Sequence, residues 1–235
     1  MPAVKHLIIT LDGPAGAGKS TVAQGLAKRL GISYLDTGAM YRALTLKALR
    51  HNIDLVDEQA LFELAQKTTI DFKQMPDGSL RVTLDGKDVA QAIRSMEVTN
   101  NTFYAARAPA VREVMVARQR AIGQGRSLVS DGRDQGTVVF PHARYKFYVD
   151  ADFEERVQRR FRELTQAGKK IDQAQLRADM KDRDHKDFSR AAGPLKKAED
   201  AIVIDSTGLT VEGTVDKIMK YIKEERPRIN AAPVT

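Results

Sequence analysis

Five short, unbroken apolar runs punctuate this chain, at residues 6–12, 32–36, 127–131, 145–150 and 201–205, each bounded by Gly, Asp or Pro. Helical patterns fill the spaces between them. Strands that are apolar on both faces, with helices between, predict a parallel sheet covered on both sides. Ligands bind such sheets outside the carboxyl ends of the strands. Asp36, Asp131, Asp150 and Asp205 all follow predicted strand ends and should gather there.

Residues 68–95 break this rhythm. Thr69-Ile70-Asp71-Phe72 and Leu80-Arg81-Val82-Thr83-Leu84 alternate apolar with polar, and Pro76-Asp77-Gly78 and Asp85-Gly86 supply turns. This predicts a small antiparallel module set between helices. Residues 152–192 are highly charged and helical in spacing, with a break at Gly168. They read either as a mobile cover over the site or as a solvated helix pair. A frayed tail is expected over 227–235. The whole reads as one domain with its core in 1–67, 96–151 and 193–226.

The first predicted strand runs straight into Gly13-Pro14-Ala15-Gly16-Ala17-Gly18-Lys19-Ser20, a complete G-x-x-x-x-G-K-[ST] match, and a helical pattern from Thr21 to Leu30 leads out. Strand, glycine loop and helix in that order make a P-loop: backbone N–H groups line an anion-binding nest, and the helix N-terminus adds its partial positive charge. Gly13, Gly16 and Gly18 allow close approach to phosphates. Residues 13–21 are thus expected to hold ATP, with Lys19 reaching the β and γ phosphates and Ser20 reaching Mg²⁺.

Composition narrows the remaining choices. With no cysteine among 235 residues, disulfides, thiolate metal sites and thiol nucleophiles are excluded. The apolar run at the N-terminus is too short for a signal peptide or a membrane span, so a cytoplasmic setting is expected. The net charge of +7 raises nucleic-acid binding as a reading. Aromatics are only 6% of residues, however, and arginines recur beside carboxylates, as in Asp131-Gly132-Arg133-Asp134 and Arg183-Asp184. That pattern suits gripping a small polyphosphate better than coating a duplex. The histidines at 6, 51, 142 and 185 have no metal-like spacing.

Three further segments follow the P-loop: Leu35-Asp36-Thr37-Gly38-Ala39-Met40-Tyr41-Arg42, Asp131-Gly132-Arg133-Asp134-Gln135-Gly136-Thr137-Val138-Val139-Phe140-Pro141, and Arg183, Asp187 and Arg190 at helical spacing. With the P-loop, they make nearly the whole chain resemble the bacterial-type cytidylate kinase family. The resemblance implies an α/β P-loop fold: a five-stranded parallel sheet flanked by helices, a nucleoside-monophosphate-binding insert at about 68–95, and an arginine-rich helical lid at about 152–192. It implies transfer of a phosphoryl group from ATP, with Mg²⁺, to CMP or dCMP and more weakly to UMP, by a monomer that needs no nucleic acid or membrane. The acceptor is a phosphate whose second pKa is about 6, so it is largely ionised at neutrality and no general base is needed. Lys19, Arg42, Arg133, Arg183 and Arg190 would neutralise and align the two anions. Thr37, Tyr41, Arg42, Arg112, Arg133, Asp134, Arg183, Asp187 and Arg190 would bind CMP, with Asp134 accepting from the cytosine amine and Arg112 donating to the base.

Several of these residues have a plainer reading. Asp36 could only cap the following helix, and Tyr41 could only pack. Arg112 could pair with Glu113 at the surface, and Arg133 with Asp134 as a structural bridge. Asp131 reads either as an outer-sphere partner of Mg²⁺ or as the holder of the turn through Gly132. One of Arg156, Arg159 and Arg160 is expected to meet ATP. A departure from the family pattern is Phe103, which stands where a small hydroxyl residue near the base is expected, leaving Thr102 or Asn101 to supply that polar contact.

Overall fold

The structure, a computed structural model, describes residues 6–74 and 80–229. Its strands in chain order are β1 (Ile8–Asp12), β2 (Ser33–Asp36), β3 (Ile70–Gln74), β4 (Leu80–Leu84), β5 (Lys87–Asp88), β6 (Leu128–Gly132), β7 (Tyr145–Asp150) and β8 (Ile202–Asp205). Its helices are α1 (Lys19–Leu30), α2 (Thr37–Arg50), α3 (Glu58–Gln66), α4 (Met96–Arg107), α5 (Pro109–Gly123), α6 (Phe153–Gln166), α7 (Gln173–Ser189) and α8 (Val211–Ile229). Among the described residues no helix is long and apolar enough to cross a membrane.

All five apolar runs become strands of one parallel sheet in the order β2-β6-β1-β7-β8. The P-loop strand β1 lies at the centre, and Ile9, Leu11, Val129 and Phe147 are shut off from water. Burying side chains of that size contributes roughly 1.5–3 kcal/mol each. Parallel register aligns the strand ends: Asp36 pairs with Asp131, Asp12 with Gly132, and Asp150 with Asp205. The predicted gathering of carboxylates at one edge is therefore real. β3, β4 and β5 form the separate antiparallel sheet. Its alternation puts Ile70, Val82 and Leu84 into the core shared with α2 and α4. The Pro76-Asp77-Gly78 turn lies outside the described residues.

The C-terminal end differs from expectation. α8 continues through Pro227 to Ile229 instead of giving way to a tail at 227, and residues 230–235 lie outside the described residues.

Capping shows where this fold leaves polar groups open. Asp36, Asp57, Ser95, Asp152 and Asp172 each accept a backbone N–H at the start of α2, α3, α4, α6 and α7. α1 begins at Gly18 with no side-chain cap and no acidic residue in its first turn. The first N–H groups of a helix need partners. The start of α5, at Ala108, also lacks a side-chain cap, but that of α1 directly follows the glycine loop, the arrangement that suits an anion.

Candidate active site

The loop geometry explains its glycines. Gly16 and Gly18 have φ of +77° and +81°, values a side chain resists, and a Cβ on Gly13 would run into the Val149 carbonyl. Lys19 is buried, and its Nζ donates to the Pro14 carbonyl at 2.6 Å, curling the side chain over the nest. Burial and the nearby Arg133 charge hold the Lys19 ammonium well below its ordinary pKa, against the opposing pull of Asp131 and Asp187. An anion placed here would restore the charged form.

Asp131 is the centre of a second contact set. Ser20 Oγ donates to its Oδ2 at 2.7 Å, and the Tyr34 hydroxyl donates to its Oδ1 at 2.8 Å. Burial first, then the neighbouring Asp36 charge, raises the Asp131 carboxyl to about 6. The Gly132 turn is held instead by the Asp131 backbone, whose carbonyl accepts from Thr37 Oγ1 at 2.7 Å. The Asp131 side chain is directed at Ser20. A hydroxyl and a buried carboxylate with lone pairs to spare are the hard oxygen donors that suit Mg²⁺, which favours one or two carboxylates plus phosphate oxygens. The residues present therefore fit the ion.

The arginines form the third set. Arg133 Nε donates to Asp187 Oδ2 at 2.7 Å, and Arg190 Nη1 lies 4.0 Å from Asp187 Oδ1. Burial would raise Asp187, but the Arg133 and Arg183 charges outweigh it and hold the carboxyl below its usual value. Arg183 makes no ion pair within 4 Å among the described residues; burial and Arg133 lower it to about 10. Arg42 Nη2 pairs with Asp36 at 3.0 Å, while its buried Nε has no partner among the described residues. Arg112 pairs with Asp134, both side chains being almost fully buried, and lies over the Tyr41 ring at 5.7 Å. Burial raises Asp134, with Arg112 and Arg190 opposing. The Tyr41 hydroxyl is buried with no hydrogen-bond partner among the described residues.

The structure bears on several of the simpler readings. Arg133 and Asp134 do not bridge each other, since each has a partner on another element. Arg112 is not a surface mate of Glu113, being buried against Asp134. Asp36 does cap α2, through Ala39 N at 2.8 Å, and in the same place holds Arg42. Arg190 lies just past the end of α7 in extended backbone, so only Arg183 and Asp187 share the helix face. Thr102 Oγ1 donates to the Val98 carbonyl and Asn101 Nδ2 to the Glu97 carbonyl, which leaves the Thr102 oxygen and Asn101 Oδ1 as acceptors.

Some residues at the site were not anticipated. Asp12, the last residue of β1, accepts Gln135 N at 2.8 Å and Gly136 N at 2.7 Å, which fixes the turn carrying Arg133 and Asp134. Burial raises its carboxyl to about 6. Its position one residue before Gly13 was the available signal. Ser206, just past β8, accepts from Arg159 of α6 at 3.0 Å and donates to the Asp150 carbonyl at the end of β7 at 2.9 Å. No local pattern announced it. Gly193, with φ +56°, sits directly against the Arg112–Asp134 pair, leaving no room for a side chain.

Comparison with known proteins agrees with this geometry. The chain is 48% identical over 220 residues to a cytidylate kinase of Desulforamulus reducens, covering 94% of this chain and 98% of that protein. It is 49% identical to one from Anoxybacillus flavithermus, covering 94% and 97%, and 50% identical to one from a Geobacillus species, covering 93% and 97%. Residues 9–224, which contain the P-loop, the Asp131–Asp134 turn and the arginine cluster, match the family described as Cytidylate kinase, and the chain belongs to that family.

Proposed function

We propose that this chain transfers the γ-phosphoryl group of ATP to the phosphate of CMP or dCMP, giving CDP or dCDP, by in-line displacement without a general base. The kinase class and the cytidylate acceptor rest on family membership. One observation carries the mechanism. An uncapped, lysine-bearing anion nest and a cluster of buried arginines occur at the same carboxyl edge of one sheet. One receives the donor phosphates, the other the acceptor phosphate.

In this reading residues 13–21 bind ATP. Lys19 leaves the Pro14 carbonyl for the β and γ oxygens. Ser20 and Asp131 hold Mg²⁺, which neutralises phosphate charge when bound. Arg42, Arg133, Arg183 and Arg190 grip the CMP phosphate and follow the charge as it moves, guanidinium forks suiting phosphate oxygens. Asp187 orients Arg133 and lies near the sugar, Thr37 positions the nucleotide, and Tyr41, Arg112 and Asp134 face the pyrimidine. Of the three lid arginines, Arg159 is the one we assign to ATP. Its Nη1 lies 4.0 Å from where a Cβ on Gly18 would stand, whereas Arg160 pairs outward with Glu163. Residues 68–95 wall the acceptor side and residues 152–192 act as the lid, excluding water that would otherwise hydrolyse ATP. The chain works as a cytoplasmic monomer, takes UMP weakly, and requires no nucleic acid.

The test is ADP release from Mg·ATP with CMP, dCMP, UMP, AMP, GMP or no acceptor. Strong turnover with CMP and dCMP, weaker with UMP and near background with purines is expected. Equal use of purines, or turnover independent of acceptor, overturns the reading.

A further inference from the structure

We propose that Asp184 and Arg156, one from each lid helix, are positioning residues that set the backbone of the ATP loop, so that ATP affinity depends on this grip rather than on the loop alone. The proposal rests on the P-loop reading above and adds residues that make no assigned contact with either substrate.

The evidence is a double contact on one loop residue. Arg156 Nη1 donates to the Ala15 carbonyl at 2.9 Å and to Asp184 Oδ2 at 2.6 Å. Asp184 Oδ1 in turn accepts the Ala15 N–H, at a long 3.4 Å. Both backbone polar groups of Ala15 are thus held by the lid. Arg156 is itself anchored by Nε donating to the Ala151 carbonyl at 3.2 Å, and its guanidinium lies over the Phe153 ring at 5.1 Å. Both residues are buried: Arg156 is 7% and Asp184 8% exposed.

Packing reinforces the polar contacts. A Cβ on Gly16 would stand 2.9 Å from Met180 Cε and 3.0 Å from the Arg156 carbonyl. The loop is therefore pressed between α6 and α7 at Gly16, one of its residues of positive φ. Such a backbone is adopted only where its surroundings over-determine it. Neighbouring lid residues point elsewhere: Arg160 pairs with Glu163 and Arg177 with Glu154. The grip also orders events. A lid docked on Ala15 presents a preformed nest, so less conformational entropy is lost when ATP arrives.

The experiment measures Mg·ATP affinity by calorimetry without acceptor, and KM for both substrates, in the full chain. Losing a charge-assisted contact of this kind is expected to weaken Mg·ATP binding about tenfold in Asp184→Ala, while KM for CMP stays within about twofold. Asp184→Asn, which keeps volume and one acceptor, should fall between Asp184→Ala and the unchanged chain, and serves where Asp184→Ala does not fold. Arg156→Met combined with Asp184→Asn should weaken binding by less than the product of the single effects, as one unit would. Unchanged Mg·ATP affinity in folded Asp184→Asn overturns the proposal. So does an equal rise of both KM values, which marks general loosening of the lid. An unaltered chain that binds ATP but does not phosphorylate CMP sinks the kinase reading while leaving the grip to be judged by ATP affinity.

Discussion

The donor and acceptor halves of this site are built on opposite principles. The donor half is backbone: a glycine loop with φ values open to few other residues, and a helix start left uncapped for an anion. The acceptor half is side chain: Arg112 with Asp134, Arg133 with Asp187, and Arg42 with Asp36, drawn from different elements, the first pair buried and the other two half-buried. Backbone donors carry no net charge and stay in place when the ligand leaves. Buried arginines repel one another and need carboxylate companions when no phosphate is present. The acidic partners of the acceptor half thus have a structural task before they have a recognition task.

The largest effect expected from this contrast is at Lys19, the charged side chain of the glycine-loop motif itself. Lys19→Ala should lower kcat by about 10²–10³, the cost typical of losing a single transition-state charge donor. Its melting temperature should barely move, because the Nζ contact to Pro14 is local. Near-normal turnover would make the donor half backbone in function as well as in build.

Next in size comes the acceptor half, where function and stability should fall together. Asp134→Ala strands the Arg112 charge in a buried place, which costs about 3–5 kcal/mol of stability when one partner of such a pair is removed. KM for CMP should rise while Mg·ATP affinity holds. Thermal melting and the two KM values check this. A variant with normal stability and an unchanged preference for CMP over UMP and AMP would break the contrast.

How much of this was legible follows the same division. The loop occupies eight consecutive residues, so its backbone chemistry can be read locally, and the five apolar runs are strands in the structure because burial on both faces leaves a continuous signature. The ion pairs join residues 22 and 54 positions apart. Nothing in Asp134 itself says whether Arg133 or Arg112 will hold it. Adjacent residues Arg133 and Asp134 leave the turn in different directions, and only the fold of α5 and α7 selects their partners. Asp12 and Asp184 were missed for a related reason: each acts on backbone N–H groups, which no residue pattern displays.

A smaller, pH-dependent effect should separate the halves again. Asp131 has its carboxyl raised to about 6 from 3.8, so it takes up a proton as pH falls through 6. Holding Mg²⁺ requires the ionised form. Titration of that single group predicts about a fourfold loss of Mg·ATP affinity between pH 7 and pH 5.5. Stability moves the other way: the native state binds more protons than the unfolded chain between these values, so this group favours folding on acidification. ATP titrates in the same range, and Asp131→Asn supplies the control, with weaker affinity and a flatter profile. Identical profiles for the two proteins would remove Asp131 from the donor half.

The smallest expected effect concerns Phe103, where the acceptor half uses an aromatic ring. Lys186 Nζ of α7 lies 5.4 Å from that ring and Arg107 5.6 Å. One helical turn beyond Phe103, the Ala106 carbonyl accepts from Arg112 at 3.2 Å. The ring thus touches the lid helix and sits on the same helix as the carbonyl that holds Arg112. Against a base it would offer a flat apolar surface and no hydrogen bond, and discrimination by apolar contact alone is weak. Phe103→Ser supplies a hydroxyl on the same face of α4. The ratio of kcat/KM for CMP over UMP should change by about threefold to tenfold, the range open to one added polar contact, with Mg·ATP affinity untouched. A shift in Mg·ATP affinity without a change in that ratio would move Phe103 out of base recognition and into docking of the lid, where its cation contact with Lys186 would be the part that matters.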